Sequence, residues 1–515
     1  MSLELSVTIG DLAETIRGVT YEKADARSTP HQGYSPLIRA TNIDHGALVL
    51  DSFVYVPDAV IRHDQRLRVG DIVLAASSGS LSVVGKAALL RSQWDGTFGA
   101  FCYAVRPKTE HVVPEYLAYF MQTSAYRSRV SKLAAGVNIN NLRREHIESV
   151  ELPFVALAEQ QRIVDAIDSY LTRLEDAVAS LERVQAKLKA YRASVLKAAV
   201  EGRLVPTEAS LARAEKRAYE PGEALLARIL NERRRRWEEA ELAKLKAAGK
   251  TPKDDKWKAK DEEPVAPDTR TLPELPEGWC WASVDQLTDG ARKSGYGVLV
   301  PGPDVSDGVP LVRVGDIHDG TVSTSELKRI DRDIADQFAK TYLSGGEVLL
   351  SLVGTIGRSA VVPTSLSGAN VARAVGVIPT SGMVRSRWVE MWFRSPRIQA
   401  LMNSRAHEVA RKTLNLEDVR STAVAMPPVC EQDRIIAEAE DRESVAAATA
   451  STVAANGVRC ARLRQAILRW AFEGKLVDQD STDEPAETLL ARIRAERAGA
   501  APIKRSRGRT AKGAA

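Results

Sequence analysis

The chain has 515 residues, of which 44% are apolar and 27% are charged. This composition is typical of soluble globular proteins, excludes a disordered chain or a membrane protein, and allows three or four domains. Lys and Arg number 72 against 67 Asp and Glu, which gives a net charge of +5. Overall charge does not indicate nucleic-acid binding, because five cations near the C-terminus account for the surplus. These cations are Lys504, Arg505, Arg507, Arg509 and Lys512.

The four cysteines are far apart in the sequence, at Cys102, Cys280, Cys430 and Cys460. None has the C-x-x-C spacing of a zinc or redox site, so neither a disulfide framework nor a metal centre is expected. The N-terminal segment lacks the pattern of a signal peptide, and no apolar run reaches the ~18 residues of a membrane span. We therefore expect a cytoplasmic protein.

The sequence contains an internal repeat with an offset of about 272 residues. EGRLV at 201–205 returns as EGKLV at 473–477, and EQQRIV at 159–164 returns as EQDRII at 431–436. In the same order, PLIRATNIDHG matches PLVRVGDIHDG, VGKAA matches IGRSA, and LLARI occurs twice. The period is far too long for a solenoid. The sequence therefore predicts a duplicated unit.

Each repeat begins with short β-like runs separated by turns, which we call head 1 (1–155) and head 2 (271–429). One amphipathic helix is predicted within head 1, around Pro114–Leu133. Its aromatic residues have counterparts in head 2, Tyr116 with Trp388 and Phe120 with Trp392. Their i, i+4 spacing favours core positions over platforms for stacking nucleic-acid bases.

A long helix follows each head, spacer 1 (156–202) and spacer 2 (430–474). In spacer 1 the apolar residues recur in the 4-3 rhythm of a coiled coil. The predicted seam is Ile163, Ile167, Tyr170, Leu174, Leu181, Val184, Leu188, Tyr191 and Val195. Spacer 2 has smaller seam residues, and its Gly457 is a potential break. We predict an α+β fold in which two β-rich heads with pseudo-two-fold symmetry are separated by two long antiparallel coiled-coil helices; two unrelated surface helices are the alternative.

A charged helical segment and linker (203–270) joins the repeats, a helical segment follows at 475–498, and 499–515 is predicted to be a basic disordered tail. Arg233–Arg236 look like a nucleic-acid patch, but neighbouring glutamates favour a solvated helix or a protein contact over a phosphate contact. Two apolar stripes follow the spacers, and we expect them both to close a circular arrangement and to dock a partner. They are Leu225, Leu226 and Ile229, and Leu489, Leu490 and Ile493.

Catalytic motifs are absent or incomplete. GSLSVVGKA at 79–87 is one residue too long for a phosphate-binding loop and has Ala87 where a Ser or Thr hydroxyl is needed. Asp304 followed by Glu326-Leu327-Lys328 has the spacing of a Mg-dependent nuclease. The first repeat has no acid at the position of Asp304, so nuclease chemistry is an alternative that the duplication does not support.

The duplicated layout resembles the specificity subunit of type I restriction-modification systems. The resemblance covers about 1–498 and rests on LPFVALAEQQRIV and MPPVCEQDRII before the spacers, and on EGRLV and EGKLV after them. It implies that each head is a target recognition domain for double-stranded DNA. It also implies two methyltransferase subunits and two motor-nuclease subunits as partners. S-adenosylmethionine, ATP and Mg are then expected on those partners, with no catalytic residue and no directly bound cofactor in this chain.

The loops of the two heads differ although their frameworks align. TYEKADARSTPHQGY at 20–34 has no likeness to GYGVLVPGPDVSDGV at 295–309. One scaffold with two loop sets predicts two different half-sites, and hence an asymmetric bipartite target. The alternative is a two-headed coiled-coil scaffold that binds proteins and has no DNA specificity.

By family position, DNA contacts are expected on loops at one edge of each head, where side chains reach base edges. In head 1 the candidates are Lys23, His31, Gln32, Arg39, Lys86, Asn138, Asn140 and Asn141. In head 2 they are Arg292, Lys293, Arg313, Arg358, Arg373, Arg411, Lys412 and Asn415. Arg39 is equivalent to Arg313, and Lys86 to Arg358; shared cations favour phosphate contacts, which carry no sequence information. The alternative for Arg39 and Arg313 is an ion pair with the protein's own acids.

Overall fold

The computed structural model describes residues 5–135, 140–249, 252, 254–318, 320–408 and 412–499. The chain divides into two compact units, unit 1 (1–182 and 454–515) and unit 2 (183–453). Each unit contains one head and part of each long helix. No helix in the described part of the chain is long and apolar enough to cross a membrane.

The helices alternate with the strands of the heads and dominate the segments between them. They are α1 (Ile9–Leu12), α2 (Pro114–Phe120), α3 (Ser124–Ala134), α4 (Arg144–Glu148), α5 (Leu157–Val200), α6 (Glu208–Glu215), α7 (Gly222–Ala247), α8 (Arg332–Asp336), α9 (Ser386–Arg394), α10 (Pro396–Arg405), α11 (Leu416–Arg420), α12 (Val429–Phe472) and α13 (Ala486–Gly499). Helices α5 and α12 have 44 residues each and lie where the spacers are predicted. Gly457 does not interrupt α12, and a Cβ added there would meet nothing within 4 Å.

The strands of unit 1 form several small sheets. They are β1 (Ser6–Thr8), β2 (Ala13–Arg17), β3 (Tyr34–Ile38), β4 (Ile43–Asp44), β5 (Ala47–Leu48), β6 (Val54–Pro57), β7 (Ile72–Ala75), β8 (Ser77–Ser78), β9 (Ala87–Leu89), β10 (Thr97–Phe98), β11 (Cys102–Pro107), β12 (Asn140–Asn141) and β13 (Glu151–Pro153). One sheet has the order β2-β11-β7-β9 and another the order β10-β3-β6, while β1 pairs with β13 and β12 with β8. Only β10 and β3 run parallel among these pairs.

Unit 2 repeats this topology. Its strands are β14 (Cys280–Ser283), β15 (Gly295–Tyr296), β16 (Val309–Val312), β17 (Ile317–His318), β18 (Thr321–Val322), β19 (Lys328–Ile330), β20 (Val348–Ser351), β21 (Ser359–Val361), β22 (Asn370–Val371), β23 (Val375–Ile378), β24 (His407–Glu408), β25 (Lys412–Thr413) and β26 (Ala423–Met426). The orders are β15-β23-β20-β21, β22-β16-β19 and β14-β26. Each of these three sheets has its counterpart in unit 1, as the duplicated sequence predicts.

The single amphipathic helix predicted in head 1 is two helices, α2 and α3. The break falls at 121–123, where the Oγ1 of Thr123 accepts a hydrogen bond from the backbone N of Tyr126 at 3.2 Å and caps α3. In head 2 the equivalent break lies at Ser395 before Pro396, which begins α10. The sequence prediction missed these breaks because the apolar pattern continues across them.

The paired aromatic residues of the head helices are core residues. Tyr116, Phe120, Trp388 and Trp392 are all buried, which confirms the core interpretation over base stacking. The Trp388 Nε1 donates to the carbonyl oxygen of Ala425 at 2.9 Å, so its polar edge is also satisfied inside head 2.

Within each unit, one end of α5 packs with the opposite end of α12. In unit 1, Ile163 and Ile167 share a core with Leu468 of α12. In unit 2, Val195 shares a core with Ile435. The two helices therefore have the predicted antiparallel order.

The predicted seam of spacer 1 is buried only toward the ends of α5. Its half-buried members are Leu174, Leu181 and Leu188, and its exposed members are Tyr170 (47%), Val184 (38%) and Tyr191 (42%). The prediction of a continuous buried seam is therefore wrong for these last three. The buried face in unit 1 instead follows Ile163, Ile167 and Leu171, because the core of head 1 covers that side of the helix.

The two apolar stripes complete the cores of the units. Leu225 and Ile229 are buried in unit 2, whereas Leu489, Leu490 and Ile493 are buried in unit 1, and Leu226 is half-buried. These side chains close the packing between the end of one repeat and the head of the other. A role for the buried ones in docking a partner is therefore wrong.

The arginines of α7 are paired with acids of the same unit. Arg234 and Arg235 contact Glu238 and Glu232, respectively. Arg236 contacts Asp289 at 2.8 Å, and Arg233 lies 4.0 Å from a carboxylate oxygen of Asp261. A phosphate-binding patch here is therefore wrong, as the neighbouring glutamates already indicated.

Candidate nucleic-acid interface

A cationic cleft of about 680 Å³ opens on head 1. Its walls include Lys23, Arg27 and Arg39, and no carboxylate is among its lining residues. The turn that carries Arg39 is fixed by Asn42, whose Oδ1 accepts from the backbone N of Arg39 at 3.0 Å. The amide of Asn42 also donates to the backbone oxygens of Val49 and Ser52. A cleft with three cations and no lining acid suits a polyanion such as a nucleic-acid backbone.

Two residues of this cleft, Arg27 and Phe101, were not among the predicted contacts. The guanidinium of Arg27 lies 5.1 Å from the ring centre of Tyr34, within the loop that differs between the heads. Phe101 is 70% exposed, although the sequence FGAFCYAV reads as a continuous strand. A turn before β11, in which the Cys102 N donates to the Gly99 oxygen at 2.8 Å, brings Phe101 to the surface. Sequence periodicity alone gave no signal for that turn.

The remaining predicted contacts of head 1 are divided among several places. His31 and Gln32 are exposed, and the His31 ring packs against Tyr34 with centroids 5.2 Å apart. Asn141 is exposed and pairs in the sheet with Ser77, a residue that lines the cleft. Lys23, Arg39 and Asn141 are thus placed around the same cleft.

Asn140 and Lys86, two further head 1 candidates, do not line this cleft. Asn140 is buried, and its Nδ2 lies 3.4 Å from the backbone oxygens of Ser78 and Gly79, so a role for it in reading bases is wrong. Lys86 lines a separate notch of about 350 Å³ with Arg127. Asn138 lies outside the described residues.

In head 2, Arg292 and Lys293 are held by the protein's own groups. Arg292 donates to the Glu347 carboxylate at 2.7 Å and to the oxygen of Tyr342 at 2.8 Å. Because Glu347 is buried, Arg292 anchors the loop, and its assignment as a base reader is wrong. Lys293 pairs with Glu262 at 3.1 Å, at the surface.

Arg313 and Arg39 occupy equivalent turns but differ in their partners. The Arg313 Nε lies 3.2 Å from Asp316, so the ion-pair alternative holds for Arg313. Asn42 stands at the position of Asp316, and no acid of the described residues pairs with Arg39. The difference leaves one cation of this equivalent pair available to a ligand.

The other head 2 candidates lie on the surface. Arg373, Lys412 and Asn415 are exposed, and Arg358 is half-buried with Nη1 3.5 Å from the Ile317 oxygen. The backbone places Arg358 where head 1 has Lys86: each residue's carbonyl accepts from the last residue of the central strand, at 2.8 and 2.9 Å. Arg411 lies outside the described residues.

A glutamine in the repeated motif E-Q-x-R joins each head to its long helix. The Gln160 Oε1 accepts from the backbone N of Val113 at 2.8 Å, and its Nε2 donates to the Val155 oxygen at 2.9 Å. Gln432 makes the same two bonds, with the N of Arg385 at 3.0 Å and the oxygen of Pro427 at 2.9 Å. Both glutamines are fully buried. This pair of bonds, which we call the glutamine clamp, fixes the head against the helix.

The arginine of the same motif contacts the segment that follows the other long helix. Arg162 pairs with Asp483 at 2.7 Å in unit 1, and Arg434 pairs with Glu208 at 2.6 Å in unit 2. The motif therefore links three elements of each unit: a head, a long helix and the chain returning from the other long helix.

The glutamates of the motif are less alike. Glu431 accepts from the Trp279 Nε1 at 2.9 Å and the Glu208 N at 2.8 Å, and burial raises its pKa. Burial also raises the pKa of Glu159, but neither of these bonds has a counterpart at Glu159 among the described residues. Only the second copy uses its glutamate as a double acceptor.

The nuclease-like residues of head 2 do not form a metal site. Asp304 accepts from the backbone N of Arg329 at 2.8 Å, and the Lys328 Nζ donates to the Gly302 oxygen. Across the part of the chain that the structure describes, no three or more His, Cys, Asp or Glu side chains are grouped to hold a metal. The nuclease alternative gains no support from this arrangement.

Known proteins share both the sequence pattern and the fold. Residues 4–183 match the family model for the type I restriction modification DNA specificity domain. The chain is 28% identical to the type I restriction enzyme EcoKI specificity subunit of Escherichia coli, over 97% of this chain and 96% of that protein. It is 40% identical to the StySPI specificity subunit of Salmonella potsdam over 38% of this chain and 42% of that protein.

A solved chain from a study of complex assembly and conformational transition of the type I R-M system has the same fold. Its TM-score is 0.57 at 17% identity, and the match covers 92% of this chain and 98% of that one. The repeated topology, the two long helices and the full-length match to EcoKI agree. The chain therefore contains a match to the type I restriction modification DNA specificity domain at 4–183 and is similar over nearly its whole length to a type I restriction enzyme specificity subunit.

Proposed function

We propose that this chain reads an asymmetric bipartite DNA target and directs the adenine methylation and restriction carried out by its partner subunits. One observation carries the proposal: the two heads have one topology but different side chains at equivalent surface positions. Arg39 lines an acid-free cleft, whereas Arg313 is neutralised by Asp316. Two heads of one fold with different surfaces are suited to two different half-sites.

The DNA contacts that we propose are exposed or half-buried residues of the two heads. In head 1 they are Lys23, Arg27, His31, Gln32, Arg39, Phe101 and Asn141, with Lys86 at a separate notch. In head 2 they are Arg358, Arg373, Lys412 and Asn415. The unpaired cations other than Arg373 are assigned to phosphates, and the uncharged residues of the differing loops to bases.

The assembly that we propose contains two methyltransferase subunits and two motor-nuclease subunits in the cytoplasm. S-adenosylmethionine, ATP and Mg are assigned to these partners and not to this chain. The EcoKI specificity subunit, which this chain resembles over nearly its whole length, supports this division of labour.

A long-read adenine methylome of the host, with and without this gene, tests the proposal. We expect loss of the gene to abolish N6-methyladenine at one asymmetric bipartite motif, because a single chain carries both heads. A palindromic motif would contradict the prediction of two different half-sites. An unchanged methylome would favour a scaffold that binds proteins. Equal binding of a purified complex to random and cognate duplexes would support that scaffold independently.

A further inference from the structure

One surface turn has the same backbone in both heads but carries different side chains. In head 1 it comprises Gly99–Cys102, closed by a bond from the Cys102 N to the Gly99 oxygen at 2.8 Å. In head 2 it comprises Ala372–Val375, closed by a bond from the Val375 N to the Ala372 oxygen at 2.9 Å. We call this feature the reading turn.

The backbone on both sides of the reading turn is fixed in the same way in the two heads. In head 1 the Ala100 N donates to the Val19 oxygen at 2.9 Å, and the Ala76 N donates to the Phe101 oxygen at 2.8 Å. In head 2 the Arg373 N donates to the Val298 oxygen at 2.8 Å, and the Leu352 N donates to the Ala374 oxygen, also at 2.8 Å. These bonds make Ala100 equivalent to Arg373, and Phe101 equivalent to Ala374.

The two central residues of the turn therefore differ between the heads: the large side chain is at the second position in head 1 and at the first position in head 2. Head 1 presents Ala100 and Phe101, and head 2 presents Arg373 and Ala374. Phe101 is 70% exposed, and Arg373 is exposed without a side-chain partner among the described residues. A turn whose backbone is held by this many bonds loses little backbone freedom on binding.

The surroundings of the reading turn suit DNA. In head 1, Phe101 lies at the cleft that Lys23, Arg27 and Arg39 line. The segment bonded to the turn continues to Ser77, which pairs with Asn141. An apolar ring beside unpaired cations and an exposed amide can contact a base while the cations hold the phosphates.

We propose that the reading turn is a specificity determinant in both heads: Phe101 contacts the 5-methyl group of a thymine in one half-site, and Arg373 contacts the N7 and O6 of a guanine in the other. The thymine methyl is the apolar group that bases offer in the major groove, and guanine offers the acceptor pair that Arg favours. This inference rests on the proposed function, because it requires that the heads read base sequence.

The test uses the complex of the full chain with its methyltransferase subunits and the duplex target that the methylome reveals. Each thymine of both half-sites is replaced in turn by deoxyuridine, which lacks the methyl group, and each guanine by 7-deazaguanine, which lacks N7. We expect one deoxyuridine substitution to weaken binding by about fourfold, the value of one buried methylene-sized group. That loss should disappear in Phe101→Ala and persist in Phe101→Leu.

The second head supplies the reciprocal measurement. We expect 7-deazaguanine at one position of the opposite half-site to weaken binding by at least about fivefold. That loss should disappear in Arg373→Ala and persist in Phe101→Ala. Val69→Ala removes an exposed apolar side chain of head 1 away from the cleft and should leave both losses unchanged.

Several outcomes would overturn the inference. In the first, Phe101→Ala weakens binding equally to the thymine duplex and to the deoxyuridine duplex. In the second, Phe101→Ala and Arg373→Ala abolish losses that arise from the same half-site. In the third, neither half-site of the target contains thymine. Failure of the proposed function gives a different result, since the complex would then bind random and cognate duplexes alike. Unfolding temperatures of the variants, expected to match that of the unmodified chain, exclude misfolding as the cause.

Discussion

The two head–helix junctions use equivalent positions with opposite chemistry. In unit 2, Glu390 is fully buried and bonds to Arg394, whose guanidinium also pairs with Glu443 of α12 at 3.0 Å. One repeat earlier, the positions of Glu390 and Glu443 are Ala118 and Leu171, both buried in the apolar core of unit 1. A junction of this shape can therefore be built from ions or from apolar side chains.

What the two junctions share is the glutamine clamp. Its bonds require an amide with one donor and one acceptor facing backbone groups on two sides. No other side chain of that length offers both, whereas an apolar contact tolerates replacement if volume and polarity are balanced. The comparison indicates that the duplicated sequence retained the glutamine, whose two bonds depend on its amide, and changed positions that either an ion pair or apolar side chains can fill.

Breaking the ionic junction should have the largest effect. Glu390→Ala leaves Arg387 and Arg394 beside a cavity without their shared carboxylate. We expect unfolding to become easier by about 3–5 kcal/mol, the usual cost of removing one partner of a buried pair. Chemical denaturation followed by tryptophan fluorescence measures it, because Trp388 and Trp392 lie on the same helix.

Converting the junction to the chemistry of unit 1 sharpens that result. The variant Glu390→Ala, Arg394→Gln, Glu443→Leu installs the residues found one repeat earlier. We expect it to be more stable than Glu390→Ala alone, because no buried charge is left unpaired. A triple variant less stable than the single one would show that the two junctions are not interchangeable.

Removing the glutamine clamp should lower the free energy of unfolding by less than Glu390→Ala does, and by a similar amount in both units. Gln160→Ala leaves the N of Val113 and the oxygen of Val155 without partners, and Gln432→Ala does the same in unit 2. We expect the free energy of unfolding to fall by about 2–3 kcal/mol in each case, since an unpaired buried polar group costs about 1–3 kcal/mol. Gln161→Ala is the control, because that side chain is exposed and, among the described residues, bonds to the Asp165 carboxylate alone. A large loss in one unit alone would refute a shared role.

The smallest effect is expected at Arg39 and Arg313, which occupy equivalent turns and differ in whether an acid of the described residues pairs with them. Arg39→Ala should lower the slope of log binding constant against log salt by about 0.9, the value for one phosphate contact. Arg313→Ala should change the slope less, because Asp316 already neutralises that guanidinium. DNA-binding titrations of the assembled complex at several salt concentrations measure both slopes. Equal changes would contradict the assignment of Arg39 as the available cation.

The sequence predicted the repeat, both long helices and the buried aromatic residues, because each follows from periodicity. It did not predict the breaks between α2 and α3 or between α9 and α10, since short polar caps hardly disturb the apolar pattern. Nor did it predict the exposed Tyr170, because the 4-3 rhythm cannot show that a head covers a neighbouring face of the helix.

The candidate interface was predicted less well than the fold. Lys23, Arg39 and Arg373 lie on the surface as expected, whereas Arg292 and Asn140 are used internally. The partners of Arg292 lie about 50 residues along the chain. Such contacts leave no local pattern, so residue type and loop position alone could not separate a structural arginine from an available one.

The discontinuous composition of unit 1 has a consequence for synthesis on the ribosome. Its core joins Ile163 to Leu468 and Ile493, and the whole of unit 2 is translated between them. At about 5–20 residues per second, the intervening stretch of about 270 residues delays completion of that core by roughly 14–54 s. Unit 2 is complete in the nascent chain first. The apolar face that contains Ile163 and Ile167 stays uncovered until the segment with Leu468 and Ile493 is synthesised. Chains truncated at residue 453 and released from the ribosome should therefore contain a protease-resistant unit 2 and a sensitive unit 1.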